Sequence, residues 1–148
     1  MPKTETAVSR FLTLYACETA DGKLPAVVSH FADTFLLAGP SGSQVVSASD
    51  FAAALPKRKA LFHQLGSQPT QLTAVRETPL DSRDVLARTT WRFSFKRENT
   101  AAQQFDTDST FLIDTGLPNT PERDYKILLY LPHQDILQTL RDRGIHQS

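Results

Sequence analysis

The segment Gly39-Pro40-Ser41-Gly42 is the part of this sequence that could form a phosphate-binding loop. Such loops follow a strand and end in a lysine and a Ser or Thr that open a helix, so that backbone N–H groups and the ammonium surround the phosphate. No such lysine follows here, and the chain continues as Gln44-Val45-Val46, which is typical of a strand. We therefore predict a hairpin, with residues 34–38 turning through 39–42 into 43–48.

Three side chains could transfer protons: Tyr15, His63 and His133. Tyr15 lies in a helical apolar stripe and also fits an aromatic core residue whose hydroxyl reaches a rim. His133 is two residues before Asp135, a spacing that could bring a carboxylate beside an imidazole. The same spacing fits the start of a helix, where Asp135 would favour the N-terminal end of the dipole.

The remaining candidates for chemistry have simpler explanations. Asp106, Asp108 and Asp114 alternate on one strand face, which is typical of a solvated sheet surface, and His30 lies near apolar residues. The histidines and acids match no metal-ligand spacing, so we expect no metal and no cofactor. Cys17 is the one cysteine, which excludes an internal disulfide, and its helical context predicts an ordinary helix residue.

Composition narrows the class of protein. The chain has 148 residues, 40% of them hydrophobic, and predicts one domain over 1–148. Its 16 Lys and Arg balance 16 Asp and Glu, so we expect neither nucleic acid nor an anionic membrane as partner. There is no apolar run of about 18 residues and no basic-then-apolar start, so the expected location is cytoplasmic.

Helical patterns dominate the first half of the chain and return at its end. Helical apolar patterns predict helices over residues 7–18, 24–35, 47–66 and 133–144, and in the first of these Val8, Phe11, Leu12 and Tyr15 follow the spacing i, i+3, i+4 and i+7. Pro56 is expected to kink or split the third helix, because proline lacks the amide proton and clashes with the preceding turn. The inner face of that helix is predicted to contain Phe51, Ala54, Leu55, Leu61, Phe62 and Leu65.

The second half alternates with a period of two. Residues 71–80, 84–98, 104–114 and 124–132 are predicted strands. Helices followed by long antiparallel strands indicate an α+β fold.

The two faces of the predicted sheet differ in character. Trp91 shares a face with Phe93 and Phe95, and this aromatic face is expected to pack against the helices and bury Trp91. The opposite face predicts cross-strand ion pairs, and it would meet solvent or a second subunit. Its charged members are Arg88, Arg92 and Lys96 on one strand and Asp106 and Asp108 on the next.

This order of elements resembles the nuclear transport factor 2-like superfamily, which includes ketosteroid isomerases, scytalone dehydratase and SnoaL-like polyketide cyclases. The resemblance spans roughly residues 5–142, and its most specific parts are VVSHFADTFLLAGPSG, LARTTWRFSF and DSTFLID. It implies a cone: a curved antiparallel sheet wrapped around three N-terminal helices, with a short C-terminal helix and a pocket at the open end.

Isomerases of that superfamily use a tyrosine and a protonated acid as hydrogen-bond donors and an aspartate as base. The resemblance places the tyrosine at Phe11, the base at Ala38 or Gly39 before Pro40, and the acid near Ser109. None of these side chains can fill the role, and no catalytic residue is assigned.

We therefore expect a pocket that binds a small, mainly apolar molecule, in a homodimer formed through the outer sheet face. One alternative is an isomerase, cyclase or dehydratase that uses Tyr15, His63 or His133 for proton transfer. Another is an adaptor or dimerisation module whose cone is filled by side chains. The residues predicted to line the pocket are Tyr15, Phe35, Phe62, Trp91 and Phe111.

Overall fold

A computed structural model describes residues 6–98, 100–116 and 125–145 as an α+β fold. None of the helices in these ranges has the length and apolar character needed to span a membrane. The elements are α1 (Ala7–Ala20), α2 (Leu24–Ser29), β1 (Phe31–Gly39), β2 (Gly42–Ser47), α3 (Ala48–Gln64), β3 (Gln71–Pro79), β4 (Asp84–Phe95), β5 (Gln103–Asp114), β6 (Lys126–Pro132) and α4 (Ile136–Asp142).

The second helix is shorter than its apolar pattern predicts. It ends at Ser29, and Phe31–Gly39 form β1, so the helix predicted through residue 35 is wrong. Strand pairing replaces helical hydrogen bonds here: the Ile127 N–H donates to the His30 carbonyl at 2.8 Å, and Phe31 pairs with Ile127. A register shift between Phe31 and Leu36 accommodates two inward phenylalanines four residues apart, a spacing that imitates a helix.

Helix α3 is continuous through Pro56, so the predicted split does not occur. The Ser47 hydroxyl caps its start by accepting from the Asp50 N–H at 3.1 Å. No residue within α3 is fully buried. Four of its predicted inner residues, Phe51, Leu55, Leu61 and Phe62, are half-buried, whereas Ala54 is exposed, so its assignment to the inner face is wrong.

The curved sheet has six strands in the order β2-β1-β6-β5-β4-β3. Every neighbouring pair is antiparallel except β1 and β6, which run parallel, so the sheet is mixed. The chain reaches β6 only after the β3–β5 meander, and it enters the sheet beside β1 in the same direction. Apart from this pair, the predicted α+β fold with a curved sheet against three helices and a short C-terminal helix is confirmed.

The inner face of the sheet packs against the helices, as predicted. Trp91 is buried with only 7% of its surface exposed, and Leu12, Phe111 and Ile127 belong to the same cluster. A second cluster beneath α4 contains Leu65, Phe95, Phe105, Leu140 and Ile145.

The predicted ion pairs on the outer face are present for two of the three cations. Arg88 pairs with Asp108 at 2.8 Å and Arg92 with Asp106 at 3.0 Å, each across the β4–β5 ladder. Lys96 lies beyond the end of β4 and instead donates to the Thr100 carbonyl at 3.0 Å.

Candidate functional site

A cavity of about 1050 Å³ lies between the inner sheet face and the helices. Its walls come from α1, α2, α3, the β1–β2 hairpin, residues 67–70, the inner faces of β4, β5 and β6, and the start of α4. Aromatic rings contribute a large part of its surface because the alternation of β4, β5 and β6 directs their aromatic residues to this side. The rings on the wall are Tyr15, Phe51, Phe62, Trp91, Phe93, Phe111 and Tyr130.

The structure brings four of the five predicted pocket residues to this wall: Tyr15, Phe62, Trp91 and Phe111. Phe35 does not line the cavity, contrary to the expectation. Its ring packs in the core against Phe31 at 4.6 Å and Phe51 at 5.2 Å between centroids. Phe51, at the start of α3, takes the position on the cavity wall instead.

Tyr130 is a wall residue that sequence reasoning missed. Its ring stacks on Phe111 with centroids 5.0 Å apart and an interplanar angle of 8°. The run Ile127–Leu131 is apolar at every position, so its alternation did not indicate which side chains face inward.

The polar end of Trp91 is satisfied within the protein. The indole N–H donates to the Thr89 hydroxyl at 2.7 Å, and that hydroxyl donates to the Ser109 carbonyl at 2.8 Å. Thr89 is fully buried. The chain of bonds therefore fixes the indole while its ring faces the cavity.

Tyr15 presents a hydroxyl to the cavity. Its ring contacts Trp91 at 6.0 Å and Phe111 at 5.7 Å, both edge to face. Among the described residues its hydroxyl has no hydrogen-bond partner. Burial raises the pKa of Tyr15 well above its ordinary value, and nearby Tyr130 raises it further, whereas the charge of Arg58 lowers it. The hydroxyl therefore stays protonated and can donate.

The rim of the cavity is cationic. Lys57, Arg58 and Lys59 line it consecutively on α3, and the Arg58 Cζ lies 5.0 Å from the centre of the Phe62 ring. Of the described residues on the wall, Asp135 alone carries a carboxylate. That carboxylate caps α4 by accepting from the Gln138 N–H at 3.2 Å, as the helix-start interpretation predicts.

The predicted proton-transfer histidines lie apart. His63 is exposed and lines the cavity, whereas His133 does not, because its Nε2 lies 2.7 Å from the Thr110 hydroxyl on the outer face. His30 is also outside the cavity, with its Nε2 2.5 Å from Glu18 Oε1. Within the described ranges no three His, Cys, Asp or Glu side chains converge as metal ligands would.

The isomerase positions implied by the resemblance are only partly in the cavity. Ala38, Gly39 and Ser109 line it. Phe11 does not, because its ring packs against His30 at 5.0 Å and Tyr125 at 5.5 Å. The α1 residues that line the cavity lie further along the helix: Tyr15, one turn on, and then Thr19 and Ala20.

No protein-family model matches this sequence, and no curated protein matches it. Solved structures do. A nuclear transport factor 2-like protein of unknown function from Shewanella oneidensis superposes with a TM-score of 0.61 at 15% identity, covering 86% of this chain and 96% of its own.

Two further similar structures carry proposed activities. A protein from Xanthomonas campestris proposed to be a polyketide cyclase has a TM-score of 0.57 at 14% identity, covering 90% of this chain and 93% of its own. A proposed scytalone dehydratase from Novosphingobium aromaticivorans has a TM-score of 0.65 at 8% identity, covering 85% of this chain and 80% of its own. These likenesses establish that the chain has the nuclear transport factor 2-like fold.

Proposed function

We propose that this protein binds a small, mainly apolar molecule in its cavity. The observation that carries the proposal is the open space itself, about 1050 Å³ with an aromatic wall. Ligand pockets of drug-sized molecules usually occupy about 300–1000 Å³ and combine apolar walls with a few polar groups. An adaptor with a filled cone would need no such space.

The wall favours a ligand with a flat apolar ring body. Tyr15 and Trp91 meet edge to face, as do Tyr15 and Phe111, so ring faces and edges are both available for contact. The Tyr15 hydroxyl supplies a hydrogen-bond donor among them. Thr107 and Ser109, small inward residues of β5, leave room beneath these rings.

Binding of the neutral dye N-phenyl-1-naphthylamine tests the proposal. Trp91 is the one tryptophan and lies on the wall, so energy transfer from it to the dye reports occupancy of this cavity. The variant Ser109→Leu adds a branched side chain on the cavity side of β5 and is expected to abolish transfer. Ser94→Leu makes the same change on the outer face of β4 and is expected to leave it intact.

Circular dichroism must show both variants folded for the comparison to count. Absence of transfer in the wild-type protein would reject the cavity as a binding site. Equal transfer in wild type and Ser109→Leu would reject it as well, because the dye would then bind elsewhere.

A second candidate function is an isomerase, cyclase or dehydratase. It is favoured by the protonated Tyr15 hydroxyl in the cavity and by the proposed cyclase and dehydratase of the same fold. His63 is the one histidine among the described residues of the wall, and its imidazole could act as the base. Ala38 and Gly39 cannot act as the base, and Phe11 and Ser109 replace the tyrosine and the acid that donate hydrogen bonds. We therefore expect no isomerisation of a β,γ-unsaturated ketosteroid, measured by dienone absorbance.

We also propose that the protein is a homodimer through the outer sheet face. Five aliphatic side chains follow one another across five strands of that face, as shown by the register pairs Leu36–Val45, Leu36–Leu129, Leu112–Leu129 and Leu86–Leu112. Val45 is 75% exposed and Leu36 is 39% exposed. A contiguous apolar row on a sheet face is typical of a surface that another protein covers. The Arg–Asp pairs beside it would supply a polar border.

A further inference from the structure

Positive charge predominates at the cavity rim. Lys57, Arg58 and Lys59 contribute three cations. Asp135, the one carboxylate on the described part of the wall, is already bonded to the backbone of α4. A rim with this balance attracts an anion, since no carboxylate of the described residues forms an ion pair with the three charges.

Arg58 differs from three arginines in or next to β4. Arg83, Arg88 and Arg92 each bond to an aspartate of β5. Among the described residues, neither Arg58 nor its neighbours Lys57 and Lys59 forms an ion pair. Three cations that line a cavity without an ion-pair partner among the described residues are available to a ligand.

The contact with Phe62 prepares Arg58 for this role. The guanidinium carbon lies 5.0 Å from the ring centre, one helical turn along α3. Contact with a ring occupies a face of the planar guanidinium and leaves its N–H edges free. Those edges have the geometry that binds the two oxygens of a carboxylate or sulfonate.

Building on the proposed binding function, we propose that the ligand is an amphipathic organic anion. Its apolar ring body would lie against the aromatic wall, and its carboxylate or similar oxyanion would bind Arg58 at the rim. Lys57 and Lys59 add positive charge beside it. The Lys59 ammonium lies over Gly22 in the α1–α2 turn. A β-carbon at Gly22 would lie 2.1 Å from the Lys59 Nζ, so the ammonium can occupy this position because residue 22 has no side chain.

A matched pair of dyes tests this inference. 8-Anilinonaphthalene-1-sulfonate has the ring system of N-phenyl-1-naphthylamine plus one sulfonate. We expect the wild-type protein to bind the anionic dye at least about tenfold more tightly, the contribution of one charge-assisted hydrogen bond. Both affinities are read from energy transfer from Trp91.

Variants locate the effect. Arg58→Gln removes the charge and is expected to weaken the anionic dye about tenfold while leaving the neutral dye unchanged. Arg143→Gln is the matched control, because Arg143 also lies over a phenylalanine, Phe105, at 4.7 Å, but away from the cavity. It should alter neither affinity. The double variant Lys57→Gln, Lys59→Gln should weaken the anionic dye and reduce the salt dependence of its binding.

Each outcome has one meaning. If neither dye binds, the proposed function itself fails. If the neutral dye binds and the anionic dye shows no preference, the binding function stands and the inference of an anionic ligand is overturned. The inference is overturned too if Arg58→Gln weakens both dyes equally, because Arg58 would then only shape the wall.

Discussion

Gly66 joins the end of α3 to the sheet in a conformation that other residues rarely adopt. Its φ is +86°, and an added β-carbon would lie 2.2 Å from the Lys96 carbonyl oxygen. The Gly66 carbonyl accepts a hydrogen bond from the Lys96 N–H at 2.9 Å, and the Gln68 N–H donates to the Ser94 carbonyl at 2.8 Å. The junction therefore fixes one end of the helix that forms a wall of the cavity.

We expect Gly66→Ala to lower the free energy of unfolding by about 1–3 kcal/mol, through left-handed strain and the backbone contact together. Gly144→Ala is the control: φ is +75° there, but a β-carbon would meet nothing within 4 Å. Urea titration followed by Trp91 fluorescence measures both. Equal losses of unfolding free energy in the two variants would show that the backbone at Lys96 moves away from the added β-carbon at no cost.

Among the elements, β5 contains two carboxyls whose pKa values are lowered by folding. The Arg83 guanidinium, by bonding to Asp114 at 2.6 Å, lowers the pKa of that carboxyl. Arg88 and the Thr90 hydroxyl lower the pKa of Asp108 in the same way. Both carboxyls thus hold their charge to lower pH in the folded chain than in the unfolded chain.

Because these pKa values fall on folding, the stabilisation is present above the unfolded pKa of about 3.9 and is lost as the pH drops through the folded values. We expect stability to decline from about pH 5 downward, and Asp114→Asn to flatten that decline. Asp33→Asn, an exposed carboxyl on β1, should leave it unchanged. Urea midpoints between pH 6 and 2 measure the slopes. An unaltered slope in Asp114→Asn would contradict the assignment.

The periodicity of apolar residues predicted most of the helices and strands. The same periodicity explains why the first part of β1 was predicted to be a helix. Strands β4 and β5 each bury one face, so their alternation is clear. Strand β1 follows a short helix, and its two buried phenylalanines are four residues apart across a register shift, which imitates helical spacing. The parallel partnership of β1 and β6 depends on where distant strands dock, and no local pattern records it.

For the whole molecule, the dimer proposal predicts that light scattering gives twice the mass of one chain at micromolar concentration. Leu112→Lys places a charge in the middle of the outer aliphatic row and is expected to give monomers. Leu14→Lys, on α1 and 51% exposed, is the matched control and should remain dimeric. A wild-type protein that is monomeric would reject the proposal.

The candidate site was harder to predict than the fold. The inward orientation of wall residues such as Trp91 and Phe111 follows from the alternation of side chains along a single strand. The volume of the cavity follows from how far α3 stands from the sheet, and local periodicity does not contain that distance. The role proposed for Arg58 depends on the same distance, since Lys57-Arg58-Lys59 would be an ordinary solvated run on a helix packed closely against the sheet.

Helix α3 has a further consequence for the protein as a whole. Its half-buried apolar residues, Phe51, Leu55, Leu61 and Phe62, all line the cavity, so a bound molecule would complete the core on which the helix packs. Folding and binding are then linked: a ligand at a hundred times its Kd would add about 2.7 kcal/mol of stability. We expect 8-anilinonaphthalene-1-sulfonate to slow hydrogen exchange more at the α3 amides than at the amides of β3, which lies outside the cavity. Equal exchange with and without dye would contradict this linkage. The bound ligand would therefore act as part of the hydrophobic core of the protein.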